Sequence, residues 1–387
     1  MDFTLPEELR LLRTTLRRFV EQELLPLENE YMHREGGLPP AIKEPLEQKV
    51  KDMGLWAYSA PVELGGAGLG LLATCVVIEE MSRVTIGDDL FGPNVPNLTI
   101  LANNCNAEQR EKYLDPCIRG EKRSCFALTE PGAGSDAAAI QTMAVRNGDN
   151  YVLNGTKVFI SHVQKADFAL VFAVTDREKR ARGGITCFIV DRGTPGFELT
   201  RVIETMGDGR PCEIVFQDCV VPASNVLGQV GLGFRVAQGR MGWRRVEIAA
   251  ECIGAAERSL KLMTDYANQR VTFGETLASR QAVQWMIADS AVEIHATRLM
   301  TYDAASKWDE GKEIRQEASM AKLYASEMAG RVVDRALQVH GGLGYTRDLP
   351  IEKMYRNLRV KRIIEGASEI HRFVIARNVL SGLWPVG

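Results

Sequence analysis

Tyr151-Val152-Leu153-Asn154-Gly155-Thr156-Lys157-Val158-Phe159-Ile160 decides the fold class. Strand-forming residues flank Asn154-Gly155, a dipeptide suited to a two-residue hairpin turn, so the stretch is expected to fold back as two antiparallel strands. Four more runs of this kind come after it, at 168–174, 184–190, 197–203 and 213–221, each bounded by turn residues. Strands this closely spaced leave no room for crossover helices, which implies an antiparallel barrel or sandwich rather than a parallel sheet. The polar stretch 176–182 reads as a solvated hairpin loop.

Helical periodicity lies on both sides. Leu9, Leu12, Leu16, Phe19 and Val20 recur at three- and four-residue steps, as does 71–81, and the helical character lasts to about Arg119. The glycine-rich break 60–68 between them suits only a loop. From about Gly233 onward, Val246, Ala249, Ile253, Ala256, Leu260 and Met263 form one apolar stripe. Val283, Ile287, Ala291 and Ile294 form a second, and Ala321, Ala325, Met328, Val332, Ala336 and Val339 a third. A fourth helix is expected over 368–380, giving a bundle. The chain is therefore expected to divide into an N-terminal α-helical domain (1–122), a middle β domain (123–232) and a C-terminal four-helix bundle (233–387).

Composition narrows the function. A chain of 387 residues, 45% hydrophobic and 25% charged, can bury a large core. Its net charge of −3 leaves no dominant basic surface for nucleic acid. Eight cysteines without a C-x-x-C pair read as reduced thiols, and five histidines without H-x-x-x-H spacing give no metal site. No run approaches the roughly 20 apolar residues of a membrane span. The start, Met1-Asp2-Phe3-Thr4-Leu5-Pro6, lacks the features of a signal peptide, so cytoplasm is expected, or an organelle matrix if a transit peptide was removed.

Gly132-Ala133-Gly134-Ser135-Asp136-Ala137 matches G-x-G-x-x-[GA], the dinucleotide fingerprint. The context rejects that reading. The fingerprint needs a strand before it and a full crossover helix after it, whereas here Pro131 precedes it and Gly148-Asp149-Asn150 cuts short any helix beyond it. Its exposed amides still suit an anion. Near the C-terminus, Ile363-Ile364-Glu365-Gly366-Ala367-Ser368-Glu369-Ile370-His371-Arg372 sets an acid behind two apolar residues. A carboxylate among apolar neighbours resists ionising and is a stronger base once ionised, so Glu365 is a candidate for taking a proton from carbon.

Five segments, in order along essentially the whole chain, together resemble the acyl-CoA dehydrogenases, flavoenzymes of α–β–α architecture with a middle β-barrel. Phe126-Ala127-Leu128-Thr129-Glu130-Pro131-Gly132-Ala133-Gly134-Ser135-Asp136 is similar to the family's entry into the β domain, and Leu153 to Ser161 to its second flavin-contacting hairpin. Arg270-Val271-Thr272-Phe273-Gly274 with Gln281, then Gln338-Val339-His340-Gly341-Gly342, resemble its flavin-binding stretches in the bundle. The Glu365 segment resembles its catalytic motif. The resemblance implies FAD as cofactor, an acyl-CoA substrate, and electrons passed to an electron-transfer flavoprotein.

Carried onto this chain, Thr129 and Ser161 would hydrogen-bond the isoalloxazine, with Phe126, Leu128 and Phe159 beside it; Phe159 read alone is equally a strand core residue. Ser135 would touch the CoA portion of the ligands. Arg270, Phe273, Gln281, Gln338, Gly341 and Gly342 would reach a flavin across a subunit boundary, which implies a homodimer or homotetramer. Read alone, Arg270 is a surface cation and Gly341-Gly342 a helix end. Ala367 and Glu369 fall at cofactor positions, and Arg245 and Gly366 at the substrate. Glu365 would abstract the α-proton while the β-hydrogen leaves as hydride to the flavin. The polarised thioester carbonyl would be held by a ribityl hydroxyl and the base's own backbone N–H.

Some branches of the family carry the base immediately before the arginine matching Arg245, but here that residue is Arg244, and Glu247 lies off the expected face. Two departures are Ala367, where threonine is common, and Gly242, where the medium-chain branch has an aspartate. An oxidase, a monooxygenase or an enoyl-CoA reductase would keep the same scaffold, and so would an inert binding protein.

Overall fold

Eight strands form between residues 124 and 227: β1 (Ser124–Ala127), β2 (Met143–Asn147), β3 (Asn150–Ile160), β4 (Phe168–Val174), β5 (Ile185–Asp191), β6 (Phe197–Val202), β7 (Cys212–Pro222) and β8 (Val226–Leu227). The four later runs expected from sequence become β4 to β7 with ends shifted by no more than one residue. The computed structural model describes residues 4–87, 89–92 and 95–384; the first three residues of the N-terminal reading lie outside them.

All seven residues of β4 are buried, as expected for a strand covered on both faces. Phe168, Leu170 and Phe172 pack with Ile185, Cys187 and Ile189 and with Leu98, Tyr113 and Ile118 from the preceding helical segment. Ala169, Val171 and Ala173 face the other way, into a cluster with Tyr151, Phe188, Ile214 and Phe216. The period of two thus divides one strand between two cores.

Two sequence expectations are corrected here. The sheet, ordered β6-β7-β3-β2-β4-β5-β8 with β1 also on β4, is not a closed barrel. β1 and β2 meet β4 in parallel, β2 through the single pair Met143 and Val174. The two ends cannot readily close, because β6 is largely exposed and polar and β8 has only two residues. Nor does Asn154-Gly155 turn. β3 runs through it, and the turn falls at Gly148-Asp149, between the paired Asn147 and Asn150. Tertiary contacts override the local signal. Asn154 exchanges two hydrogen bonds with Asp218 of β7, at 3.1 and 2.8 Å, beside a register shift. A Cβ at Gly155 would lie 2.5 Å from Thr142 Oγ1, so the glycine permits a close approach.

The chain divides into two compact units. One comprises Gly54–Gly68 and Phe91–Met241, the other Met1–Met53, Leu69–Leu90 and Gly242–Gly387. The second unit is helical, with α1 (Glu7–Phe19), α2 (Leu71–Met81), the part of α3 (Gly233–Gln269) from Gly242 onward, α4 (Gln281–Asp309), α5 (Arg315–His340), α6 (Pro350–Arg359) and α7 (Ser368–Leu380). The expected stripes of α3 and α5 are buried but for Leu260, which is partly so, and α7 has the bounds read from sequence. α6 adds a helix beyond the four expected, burying Ile351, Met354 and Leu358. α2 lies so close to α3 that a Cβ at Gly254 would be 2.0 Å from the Glu79 carbonyl oxygen. All eight cysteines are free thiols. Among the described residues no helix is long and apolar enough to cross a membrane, and no three or more His, Cys, Asp or Glu side chains gather as a metal site would need.

Candidate active site

Glu365 lies between the turn ending at Arg362 and the start of α7, with φ at 53°. A left-handed backbone costs a non-glycine residue about 1–2 kcal/mol, so other contacts must hold it there. Two cations do. Arg245 Nε of α3 donates to the Glu365 carbonyl at 3.2 Å, and Lys322 Nζ of α5 donates to the Gly366 carbonyl at 2.7 Å. Gly366 itself has φ 97°, and a Cβ there would sit 3.1 Å from His371 Nε2 on α7. The structure therefore brings Arg245, Glu365, Gly366 and Ala367 together.

The surroundings of the acid correct the expectation of apolar neighbours. Ile363 is exposed, while the charge of Glu365 is felt by Arg244, Arg245 and Lys322. Burial lowers the Lys322 ammonium to about 8, with Arg245 pushing the same way and Cys252 and Glu365 opposing. Burial also lowers Arg245. Arg244 is committed elsewhere, to Glu251 at 2.6 Å and Glu247 at 3.2 Å. Against burial, which works the other way, Arg244 and Lys361 pull Glu251 down to about 2. Glu247 is fully buried and also accepts from Trp243 Nε1 at 3.0 Å, so it anchors Arg244 rather than serving as a second base.

Sequence reasoning missed Lys322 and His371. A lysine inside the apolar stripe of α5 was the available signal. His371 is fully buried, and its ring nitrogens have no hydrogen-bond partner of ordinary geometry. Burial first, then Arg245 and Lys322, push it to about 3. The folded state keeps this imidazole neutral, whereas an unfolded histidine takes a proton near pH 6.5. Its contribution is therefore complete above that pH and declines as pH falls toward 3, by on the order of 4 kcal/mol. His371→Leu is expected to flatten this acid limb in urea unfolding measured across that range. Equal slopes for parent and variant would contradict the assignment.

In the β unit, Phe126 of β1 is half-buried, its ring 4.8 Å from Phe172 and beneath the Arg240 guanidinium at 4.6 Å. The Val158 N–H donates to the Thr129 carbonyl at 2.9 Å, which ties the chain after β1 to the end of β3 and groups Leu128 and Thr129 with Phe159 and Ser161. Phe159 is no core residue. It is 60% exposed with φ 58°, at a second register shift that turns the ring out of the sheet. The Thr129 and Ser161 hydroxyls bond to nothing among the described residues. An outward aromatic ring and two uncommitted hydroxyls fit a planar heterocycle carrying donors and acceptors, as a flavin does. Ser135 is exposed in the turn after Pro131, which leads into a short 3-10 turn at Ala137–Ala139 rather than a crossover helix.

A buried ion pair supports this group and was not legible in the sequence. Lys157, fully buried on β3, donates to Glu130 Oε1 at 2.7 Å and to the Leu128 carbonyl at 3.0 Å. Glu130 also accepts the backbone N–H groups of Gln141 at 2.6 Å and Thr142 at 2.9 Å. Burial lowers Lys157 to about 8 against the attraction of Glu130. Burial raises Glu130, but Lys157 and these donors outweigh it and hold the carboxyl below its usual range.

The remaining candidates lie in the helical unit. Val271–Thr272 and Glu275–Thr276 form a small hairpin whose turn is Phe273-Gly274, both at positive φ. Phe273 is 100% exposed, and Arg270 and Gln281 are exposed beside the hairpin's two ends. Gln338, Gly341 and Gly342 are exposed at the C-terminus of α5, where Gly341 has φ 59°. Ala367 caps α7 without a side-chain hydrogen bond, and Glu369 is exposed with Arg372 at 3.9 Å.

Comparison with known proteins places the chain. Residues 6–121, 125–219 and 231–380 match the models of the acyl-CoA dehydrogenase N-terminal, middle and C-terminal domains. (R)-benzylsuccinyl-CoA dehydrogenase of Thauera aromatica is 43% identical over 395 residues, covering 98% of this chain and 97% of its own. Acryloyl-CoA reductase (NADH) of Anaerotignum propionicum is 38% identical, with 98% and 96% covered. A chain solved in work on the electron transferring flavoprotein of Acidaminococcus fermentans superposes with a TM-score of 0.88 at 36% identity, covering 98% of this chain and 100% of its own.

Proposed function

The chain belongs to the acyl-CoA dehydrogenase family, and from that premise we propose that it is an FAD-dependent dehydrogenase acting on acyl-CoA thioesters of short backbone, with Glu365 as the catalytic base. It is an oxidoreductase of CH–CH bonds, and its cofactor is FAD. The left-handed Glu365, gripped through its own and the next carbonyl by Arg245 and Lys322, is the observation that carries the reading.

Glu365 takes the α-proton onto a carboxylate oxygen, and the electron pair of that C–H bond becomes the new carbon–carbon π bond as the β-hydrogen departs. FAD, when bound, supplies the two-electron acceptor for that hydrogen. Thr129 and Ser161 would hold the flavin edge, with Phe126, Leu128 and Phe159 along it, and Ser135 would meet the CoA portion. Arg245 and Gly366 shape the acyl end. A dimer is the expected assembly, because the fully exposed Phe273, with Arg270 and Gln281, presents an aromatic tip that a second chain's flavin would cover. Gln338, Gly341 and Gly342 would join that contact. The flavoprotein named with the Acidaminococcus structure supports an electron-transfer flavoprotein as acceptor. Residues 1–122, 123–232 and 233–387 are taken as its three domains.

The short backbone rests on relatives named for benzylsuccinyl and acryloyl thioesters. The reductase among them favours a second reading, in which the same residues run the reaction toward saturation. Anaerobic mixing of the holoprotein with a panel of acyl-CoA and enoyl-CoA thioesters tests both. Bleaching of the flavin near about 450 nm by saturated short-chain thioesters is expected. Failure with every saturated thioester, together with reoxidation of prereduced flavin by an enoyl-CoA, would establish the reductase instead.

A further inference from the structure

We propose that Lys322 is a positioning residue for Glu365. Fixed on the Gly366 carbonyl, its ammonium works with Arg245 to lock the base in its left-handed conformation; the inference rests on Glu365 being the base. Lys322 is fully buried, and its hydrogen bond is to that carbonyl, at 2.7 Å. An ammonium carries three donors, and an unpaired buried charge is costly. Lys157, also buried, has a carboxylate against it, whereas Lys322 has none within ion-pair distance among the described residues. A lysine kept under those terms needs a reason, and the geometry supplies one.

Consecutive carbonyls, those of Glu365 and Gly366, are each held by a cation from a different helix, α3 and α5. His371 of α7 closes the third side, where a Cβ at 366 would press on it at 3.1 Å and the φ of 97° favours glycine. Arg245 thus holds the peptide that follows Glu365 and Lys322 the next one, so neither peptide can rotate without releasing its cation. Charged and titratable groups face Lys322 from every side: Arg245 and Cys252 on α3, Glu327 on its own helix, and Glu365 itself. His371 on α7 feels its charge in turn. Lys322 thus acts on the base alongside Arg244 and Arg245, and unlike Arg244 it has no carboxylate of its own among the described residues.

Lys322→Met and Lys322→Gln, made in the FAD-loaded protein, test this. The Met variant is expected to bind FAD normally yet reduce it about 100-fold more slowly at saturating acyl-CoA, with little change in KM, as misplacement of a catalytic group predicts. Its pH–rate profile should move to higher pH for want of one cation. The Gln variant, which keeps a donor without the charge, should recover part of the rate. A crystal structure of the Met variant should show Glu365 released from positive φ. Flavin reduction within about two-fold of the parent with an unshifted pH profile overturns the proposal, since such a change is too small for a displaced base. Positive φ retained at Glu365 in the variant overturns it too. Should Lys322→Met not fold, Lys322→Gln decides by the same readouts. A parent protein inert toward every thioester sinks the functional reading instead, and the crystallographic arm still decides the clamp.

Discussion

Glu365→Gln is expected to bind FAD as the parent protein does and to lose about 10⁴-fold in flavin reduction by acyl-CoA, the upper end of what a positioned base contributes. The substitution keeps the size of the side chain and both backbone carbonyls on which Arg245 and Lys322 close. Only the proton acceptor disappears. Glu247 is held by Trp243 and Arg244, so it cannot readily take over. Rapid-mixing spectroscopy under anaerobic conditions measures the loss. A variant reducing its flavin at the parent rate would remove Glu365 from the chemistry.

Lys157→Met should lower stability by about 3–5 kcal/mol, because Glu130 is left buried with its charge uncompensated. Lys157 also joins the Leu128 carbonyl to Glu130, and Glu130 in turn collects the amides of Gln141 and Thr142. Thr129 sits inside that frame. Weaker FAD binding should therefore accompany the lost stability, read by urea titration and by flavin fluorescence on dilution. The double variant Lys157→Met with Glu130→Leu should regain part of the stability but not the affinity, since it removes the uncompensated charge while the bond to the Leu128 carbonyl stays lost and the amides of Gln141 and Thr142 lose their acceptor. Should the single variant unfold at the parent's urea midpoint, the pair would have no structural weight.

Much of the fold was legible because its signals are local. The runs that became β4 to β7 and the helix α7 follow from residue type, period and punctuation, and so does the order of helical, β and helical segments. Asn154-Gly155 misled because its turn propensity is outweighed by Asp218 and Thr142, contacts that lie far off in sequence. Closure of the sheet depends on whether β6 and β8 find partners, which no local pattern states. α6 carries the same kind of signal, Ile351, Met354 and Leu358 at three- and four-residue steps behind Pro350, but over only ten residues, so its stripe is short beside those of its longer neighbours.

The site divides in the same way. Glu365, Gly366 and Arg245 were found through their motif, but the motif gives no hint that the acid is flanked by cations. Lys322 lies 44 residues before the carbonyl it holds, and Lys157 27 residues after Glu130. Such pairs exist only once helices and strands have packed. Phe159 shows the reverse case: read alone its identity left a core residue and a flavin contact equally open, and the bulge in β3 turns the ring outward.

Exchange of solvent deuterium into the α-carbon of a bound short-chain acyl-CoA, read by mass spectrometry, asks whether Glu365 is the base without depending on any electron acceptor. The parent protein is expected to incorporate deuterium, and Glu365→Gln none above background. Equal incorporation by both would contradict that role.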